Sequence, residues 1–178
     1  MSLRSSVAIV WGVFGLYWLI AALSAKHGSR RGPLRPPFLL VATAVVLLRV
    51  FKVHTLAVHA LGLQVVGVIL LVSGLGFAVW ARIFLGRNWG MPMTQKDEPE
   101  LVTSGPYRFV RHPIYSGLLL AILGTALATN LYWLIGVGVM VIYFVYSARV
   151  EERLMTRSFP VVYPCYRART KMLIPFLL

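Results

Sequence analysis

The sequence predicts an all-α, polytopic membrane protein with about five transmembrane helices. The last two helices form a tight hairpin, and a cytoplasmic C-terminal helical segment follows them. Three observations lead to this fold class. Hydrophobic residues make up 58% of the 178 residues and the mean hydropathy is +0.77, which is more than the core of a soluble domain of this size needs. The apolar residues form runs long enough to span a bilayer, and the basic residues lie between those runs.

Two spans are predicted at the start of the chain. Residues 5–25 are apolar and uncharged. A cleaved signal peptide is the alternative, but its apolar region would be unusually long and a basic cluster follows it, so a retained helix is favoured. Residues 26–37 form a basic connection rich in Gly and Pro. Residues 38–55 predict a weaker second span, because Arg49 and Lys52 interrupt its far end.

Residues 56–85 predict a third span, long enough for one tilted helix. Small residues along it permit close packing against another helix; they are Gly62, Gly67, Ser73, Gly74 and Gly76. Residues 1–85 are interpreted as a membrane scaffold and residues 86–178 as a catalytic region, within a single domain.

The fourth and fifth spans are predicted from a long uncharged stretch. Between Arg111 and Arg149 no charge occurs over 37 residues, about twice the length of one span. We therefore expect two helices, residues 112–129 and 131–148, joined by a tight hairpin at Asn130. The tail that begins at Arg149 is expected to continue the last helix out of the membrane.

The charge distribution predicts the orientation. The chain has 18 basic and 5 acidic residues, and with the N-terminus outside, 15 of the 18 lie on the inner side. This predicts a multi-pass protein whose C-terminus and polar segments are cytoplasmic. The basic residues then contact anionic headgroups rather than nucleic acid. Cys165 is the only cysteine, so an intrachain disulfide is excluded.

A motif at residues 105–117 stands where the polar segment meets the fourth span. Gly105-Pro106 is a turn signal, and Pro113 suits the first turn of a helix, where its missing N–H needs no partner. His112 then falls at the N-cap, beside the positive end of the helix dipole, which suits a carboxylate or a phosphate. The alternative is an ordinary membrane boundary with Arg, His and Tyr at the headgroups.

Two adjacent acids stand where the last span ends. Glu151 and Glu152 allow a solvated helix end in which Glu152 pairs with Arg149 at i,i+3. Alternatively, the hairpin brings Arg149 and both acids beside His112 and Tyr115, around one pocket on the cytoplasmic side. Acids there suit a ligand with an amine, a ribose or a sulfonium. The aromatic and basic residues of 159–175 predict an amphipathic segment that either covers this pocket or only anchors at headgroups.

Taken together, these motifs resemble one family. The sequence LVTSGPYRFVRHPIYSG at residues 101–117, the pair Glu151-Glu152 and the spaced Phe159, Tyr163 and Tyr166 are similar to the isoprenylcysteine carboxyl methyltransferases. These integral membrane enzymes are related to the phospholipid N-methyltransferases. The resemblance covers residues 99–175.

The resemblance implies that S-adenosylmethionine binds at the cytoplasmic face without a soluble nucleotide-binding fold. No Gly-x-Gly-x-x-Gly follows a predicted strand, which agrees. By position, the cofactor contacts of the family fall on Glu100, Leu101, Val102, Tyr107, His112, Pro113, Ile114, Tyr115 and Glu151. Pro99 stands where the isoprenylcysteine enzymes have His, so that contact is not carried over.

The resemblance also implies a substrate-contacting arginine, and a carboxylate beside it is a candidate base. The isoprenylcysteine enzymes place a substrate-contacting Arg about one helical turn before the Glu pair, near Ser147 in this chain. We carry that role to the nearest arginine, Arg149, and predict Arg149 and Glu152 as catalytic residues. No metal ligand is predicted.

The predicted acceptor is a lipophilic small molecule or a prenylated substrate from the bilayer. A carboxylate acceptor, which the resemblance favours, needs only a cation such as Arg149 to orient it. A phospholipid amine or an alkylated phenol needs a base, for which Glu151, Glu152 and His112 are candidates. A small transporter and a structural membrane protein are alternatives of another class, although a transporter more often carries charge at mid-bilayer depth.

Overall fold

The computed structural model describes residues 2–23, 28–30, 56–89, 94–96 and 100–174. Two short strands, β1 (Gly28–Arg30) and β2 (Thr94–Lys96), pair antiparallel in the described part. Apart from this ribbon, which the sequence did not predict, the regular structure of the described residues is helical. Five α-helices are present within the described ranges; in chain order they are α1 (Leu3–Ala22), α2 (Leu61–Leu85), α3 (Pro113–Thr129), α4 (Trp133–Ser158) and α5 (Val162–Arg169).

Three of these helices, α1, α2 and α4, are long and apolar enough to cross a membrane, and α3 is a shorter apolar helix of 17 residues. Large apolar side chains are exposed along α1, α2 and α4, as expected for surfaces that face lipid. The prediction of an integral membrane protein is supported. The predicted second span, residues 38–55, lies outside the described residues, so the count of five spans and the orientation stay predictions.

Glycines bring α2 and α3 into close contact. A Cβ atom built on Gly67 would lie 2.3 Å from the backbone nitrogen of Ala128, and one built on Gly74 would lie 2.6 Å from the backbone of α3. Gly117 and Gly124 on α3 meet α2 in the same way, at 2.5 and 2.3 Å. The two helices therefore run antiparallel with their backbones in contact, as the small residues predicted.

The predicted hairpin is present at residues 130–132. The Asn130 carboxamide oxygen accepts from the Tyr132 N–H at 3.0 Å, and the Asn130 carbonyl accepts from the Trp133 N–H at 3.1 Å. Leu56 bonds to the same turn, because its carbonyl accepts from the Leu131 N–H at 3.0 Å. The third predicted helix accordingly begins at Leu61 rather than at residue 56.

At the opposite end of the bundle, the C-terminal ends of α1 and α2 meet. Arg82, 3% exposed, donates to the Ala21 carbonyl at 2.5 Å and to the Gly86 carbonyl at 2.6 Å. The Trp18 and Trp89 rings lie edge to face, 5.7 Å apart. The start of α3 and the extension of α4 toward Ser158 reach the same end, so parts of four helices surround one space.

Candidate active site

A cavity of about 440 Å³ occupies this end of the bundle, a size typical of small-molecule sites. Helices α1, α3, α4 and α5 contribute to its wall, as do the end of α2 and described residues between α2 and α3. The lining residues are Trp18, Leu19, Ala22, Leu85, Asn88, Trp89, Glu100, Leu101, Val102, Tyr107, Arg111, His112, Pro113, Ile114, Tyr115, Leu118, Phe144, Glu151, Met155, Tyr163 and Tyr166.

Every residue to which the resemblance assigned a cofactor contact lines this cavity. His112 is the N-cap of α3, and Pro113 stands at the helix start, as predicted. Helix α4 continues past residue 148, as expected for the start of the tail, and carries Glu151 into the cavity wall. Of the residues expected around one pocket at these two helix ends, His112, Tyr115 and Glu151 therefore line the cavity.

The two residues predicted as catalytic lie elsewhere. Arg149 is exposed on α4 and does not line the cavity. Glu152 is buried behind the wall, with its side chain 7% exposed. It pairs with Arg111, whose Nε donates to its Oε1 at 2.6 Å, rather than with Arg149 at i,i+3. The role carried to Arg149 does not fit this position, because a helix turns by about 100° per residue and Arg149 faces outward.

His112 lies between the two carboxylates. Its Nδ1 is 3.4 Å from Glu151 Oε2, and its Nε2 is 3.5 Å from Glu152 Oε1. Burial alone lowers the pKa of the His112 imidazole, but its interactions with Glu151 and Glu152 outweigh burial and raise the pKa above its usual value. The site therefore favours a protonated His112 that holds the two acids in place.

Stacked aromatic rings hold His112 in place. The His112 and Tyr115 rings stack with centroids 5.5 Å apart, and the Tyr115 and Phe144 rings stack at 4.5 Å. The Tyr115 hydroxyl donates to Glu151 Oε1 at 2.5 Å. The carboxylate of Glu151 is thus oriented by a phenol and an imidazole, both of which are fixed by packing.

The tail after α4 folds back over the cavity. The Arg111 and His112 N–H groups donate to the carbonyls of Lys171 and Met172 at 2.8 and 3.1 Å, in the manner of a short parallel strand pair. The Arg111 guanidinium also donates to the Thr170 carbonyl. The helix predicted in the tail is present as α5.

Helix α5 supplies the covering side chains. Tyr163 and Tyr166 line the cavity, and the Tyr166 hydroxyl donates to the Tyr107 carbonyl at 2.6 Å. Burial raises the pKa of the Tyr166 hydroxyl to about 12, so it stays a neutral donor. Of the two predicted roles for this segment, covering the pocket is the one that its contacts support.

Sequence reasoning missed part of the wall. Helix α1 was interpreted as scaffold, yet Trp18, Leu19 and Ala22 line the cavity, and nothing in its uniformly apolar sequence distinguishes these positions. Asn88 and Trp89 were missed as well, although an amide three residues after the end of a long apolar span was a usable signal. Among the described residues, no group of three or more His, Cys, Asp or Glu side chains is arranged to hold a metal.

Comparison with known proteins gives two findings. The sequence model of a family described as phospholipid methyltransferase matches residues 63–161, more than half of the chain. Two curated relatives also match. One is the nickel-cobalt-cadmium resistance protein NccN of Alcaligenes xylosoxydans xylosoxydans, 32% identical over 96 residues, which cover 52% of this chain and 45% of the relative.

The other is the cobalt-zinc-cadmium resistance protein CzcN of Cupriavidus metallidurans, 34% identical over 96 residues, which cover 52% of this chain and 44% of the relative. The chain thus matches less than half the length of either relative.

Proposed function

The chain belongs to the phospholipid methyltransferase family, and on this premise we propose that it transfers a methyl group from S-adenosylmethionine to a lipophilic acceptor in the membrane. One observation carries the proposal. The residues to which the resemblance assigns the cofactor lie between residues 100 and 115 and at Glu151 on α4, and they line a single cavity.

The described residues of the cavity fit this cofactor. Glu151 suits its ammonium and sulfonium groups, and the N-terminus of α3 at Pro113 suits its carboxylate. The aromatic walls suit its nucleoside. When bound, S-adenosylmethionine supplies a methyl group that its sulfonium already activates.

The remaining role of the chain is to position the cofactor and the acceptor and to exclude water from the site. Arg111, His112 and Glu152 form a buried network that fixes the end of α4 against the start of α3. Helix α5 covers the cavity through Tyr163 and Tyr166. We propose that the site lies on the cytoplasmic side, as the basic residues around it indicate.

The acceptor reaches the cavity from the bilayer. Leu19 lines the cavity and is 70% exposed on the outside of α1, so the wall is apolar and thin on the side where lipid would lie. A lipophilic acceptor could approach there without leaving the membrane.

The charges of the site favour an amine or a phenol as the acceptor group. The proposal of a carboxylate, by analogy with isoprenylcysteine, relied on Arg149, which is exposed outside the cavity. Arg111 lines the cavity but is engaged by Glu152 and by tail carbonyls. Glu151 is the candidate base, because it lines the cavity, whereas Glu152 is buried behind the wall. A carboxylate acceptor remains the second candidate from the resemblance.

Binding of S-adenosylhomocysteine to the full chain in detergent tests the proposal. We expect thermal stabilisation, of about 2.7 kcal/mol when the ligand is present at a hundred times its Kd. Glu151→Gln should weaken binding at least about tenfold by calorimetry, because a charge-assisted contact contributes about 1.5–3 kcal/mol. Arg153→Gln, which removes an exposed charge from the same helix, is the matched control and should bind normally.

Transfer of a labelled methyl group to total membrane lipids, with mass identification of the product, then assigns the acceptor class. If the wild-type protein shows neither stabilisation nor measurable affinity, the proposal is wrong and a transporter or a structural protein becomes the better interpretation.

A further inference from the structure

Asn88 is a buried amide that lines the cavity next to the end of α2. It ends the short turn Gly86–Asn88 directly after α2 and is only 7% exposed. Its Nδ2 group donates to Glu100 Oε2 at 2.6 Å. Its Oδ1 atom is buried and has no hydrogen-bond partner among the described residues.

The orientation of this amide follows from its partner. A carboxylate only accepts hydrogen bonds, so the NH₂ group of Asn88 must face Glu100 and the oxygen must face the other way. A buried acceptor without a donor is unfavourable, and native proteins rarely leave one. Because Asn88 lines the cavity, the missing donor is most simply supplied by the ligand that fills it.

The surroundings of Asn88 indicate which part of a ligand this is. Trp89, the next residue, and Trp18 of α1 both line the cavity, with their rings 5.7 Å apart and perpendicular. The Arg82 guanidinium lies over the Trp89 ring at 4.9 Å and holds it in place. Aromatic rings beside a buried acceptor that has no partner among the described residues suit a nucleobase, which stacks on such rings. The groups that suit the amino acid part of the ligand, His112 and Glu151, belong to a separate cluster on α3 and α4.

We propose that Asn88 is a specificity-determining residue, whose Oδ1 accepts a hydrogen bond from the 6-amino group of the cofactor's adenine. The inference rests on the proposed function and deepens it. Adenine carries a donor at this position, whereas hypoxanthine carries a carbonyl oxygen there. Glu100 acts as a positioning residue, because it fixes the side of the amide that faces the ring.

Binding of two ligands that differ only at this atom tests the assignment. The full chain in detergent is titrated by calorimetry with S-adenosylhomocysteine and with S-inosylhomocysteine. We expect the wild-type protein to bind the adenosyl ligand at least about tenfold more tightly, since two acceptors would face each other in the inosyl complex. Asn88→Leu, which is similar in size, should weaken binding of the adenosyl ligand. The affinities for the adenosyl and inosyl ligands should then lie within about threefold of each other.

Gln64→Leu is the matched control, because it removes an amide whose hydrogen bond, to the Val58 carbonyl at 2.8 Å, lies at the far end of the bundle. It should keep the wild-type ratio. In Glu100→Gln the carboxylate that fixes the Asn88 amide is replaced by a group that both donates and accepts. The Asn88 amide can then take either orientation, and this variant should keep only part of the preference for the adenosyl ligand. This variant also provides a test if Asn88→Leu does not fold.

The outcomes separate the inference from the proposed function. If the wild-type protein binds both ligands equally, or if Asn88→Leu keeps the full preference, the assignment of Asn88 is wrong and the proposed function stands. If the wild-type protein binds neither ligand, the proposed function fails and the inference fails with it.

Discussion

At the scale of single residues, the buried ion pair of Arg111 and Glu152 explains why two adjacent acids stand at the end of α4. Glu151 faces the cavity and contacts Tyr115 and His112, whereas Glu152 faces away and pairs with Arg111. The two neighbouring carboxylates therefore have different tasks. One is placed to contact ligand, and the other holds the loop before α3.

We predict that Glu152→Gln is mainly a stability variant. Its side chain is 7% exposed and that of Arg111 is 9% exposed, and removing one partner of such a pair typically costs about 3–5 kcal/mol because the other charge stays buried. Thermal unfolding in detergent should show a large decrease, whereas the exposed Arg153→Gln should lie within about 0.5 kcal/mol of wild type. A variant that unfolds at the wild-type temperature but no longer transfers methyl groups would assign Glu152 a direct catalytic role instead.

The sequence identified the residues of this site better than their roles. A local motif fixes which residues of 105–117 stand at a helix start, because turn and cap preferences are local. The direction in which a side chain leaves a helix depends on the packing of that helix. For this reason Arg149 was expected in the cavity, whereas among the described residues it is the arginine Arg111 that lines it.

At the scale of elements, the contact between α2 and α3 determines where the site forms. Gly67 and Gly74 are seven residues apart on α2 and meet Gly124 and Gly117 on α3. Without side chains at these positions the backbones approach closely, and the start of α3 is held beside the end of α2. Such close packing is a main source of helix association in a membrane, where lipid removes the hydrophobic driving force between helices.

Two glycines on the same helix give a matched test. Gly74→Ala places a Cβ 2.6 Å from the α3 backbone, whereas a Cβ at Gly76 meets nothing within 4 Å among the described residues. We expect Gly74→Ala to destabilise the protein by about 1–3 kcal/mol and Gly76→Ala to stabilise it by up to about 1 kcal/mol through helix propensity. Thermal unfolding of both variants measures the difference, and equal effects would contradict the packing of α2 on α3.

The elements that were predictable are those encoded by local composition. The charge-free stretch and the turn residue Asn130 were sufficient to predict the hairpin and both of its helices. The ribbon of β1 and β2 was missed, because each strand has three residues and pairs with a segment distant in the sequence. The role of α1 was missed for a similar reason, since its cavity residues are defined only by contacts with α2 and α3.

At the scale of the whole molecule, the cavity depends on segments from both ends of the chain. Helix α1 supplies Trp18 and Leu19, and the tail supplies Tyr163 and Tyr166. The site is therefore complete only when the first helix and the tail are both docked on the α2–α3 pair. Binding of ligand should accordingly stabilise the docked tail, because the tail forms part of the binding surface.

Neighbouring residues near the end of the described tail test this coupling. Leu173 is 2% exposed, and its carbonyl accepts from the Ser116 hydroxyl at 2.5 Å, whereas Ile174 is 50% exposed. We predict that Leu173→Asp releases the tail, because a buried charge without a partner costs several kcal/mol, and that Ile174→Asp does not. Affinity for S-adenosylhomocysteine should fall at least about tenfold in Leu173→Asp alone. The ligand should also slow tryptic cleavage at Arg167 and Arg169 in the wild-type protein and in Ile174→Asp, but not in Leu173→Asp. If Leu173→Asp binds the ligand with wild-type affinity while its tail is cleaved faster, the tail is a surface anchor and not a wall of the cavity.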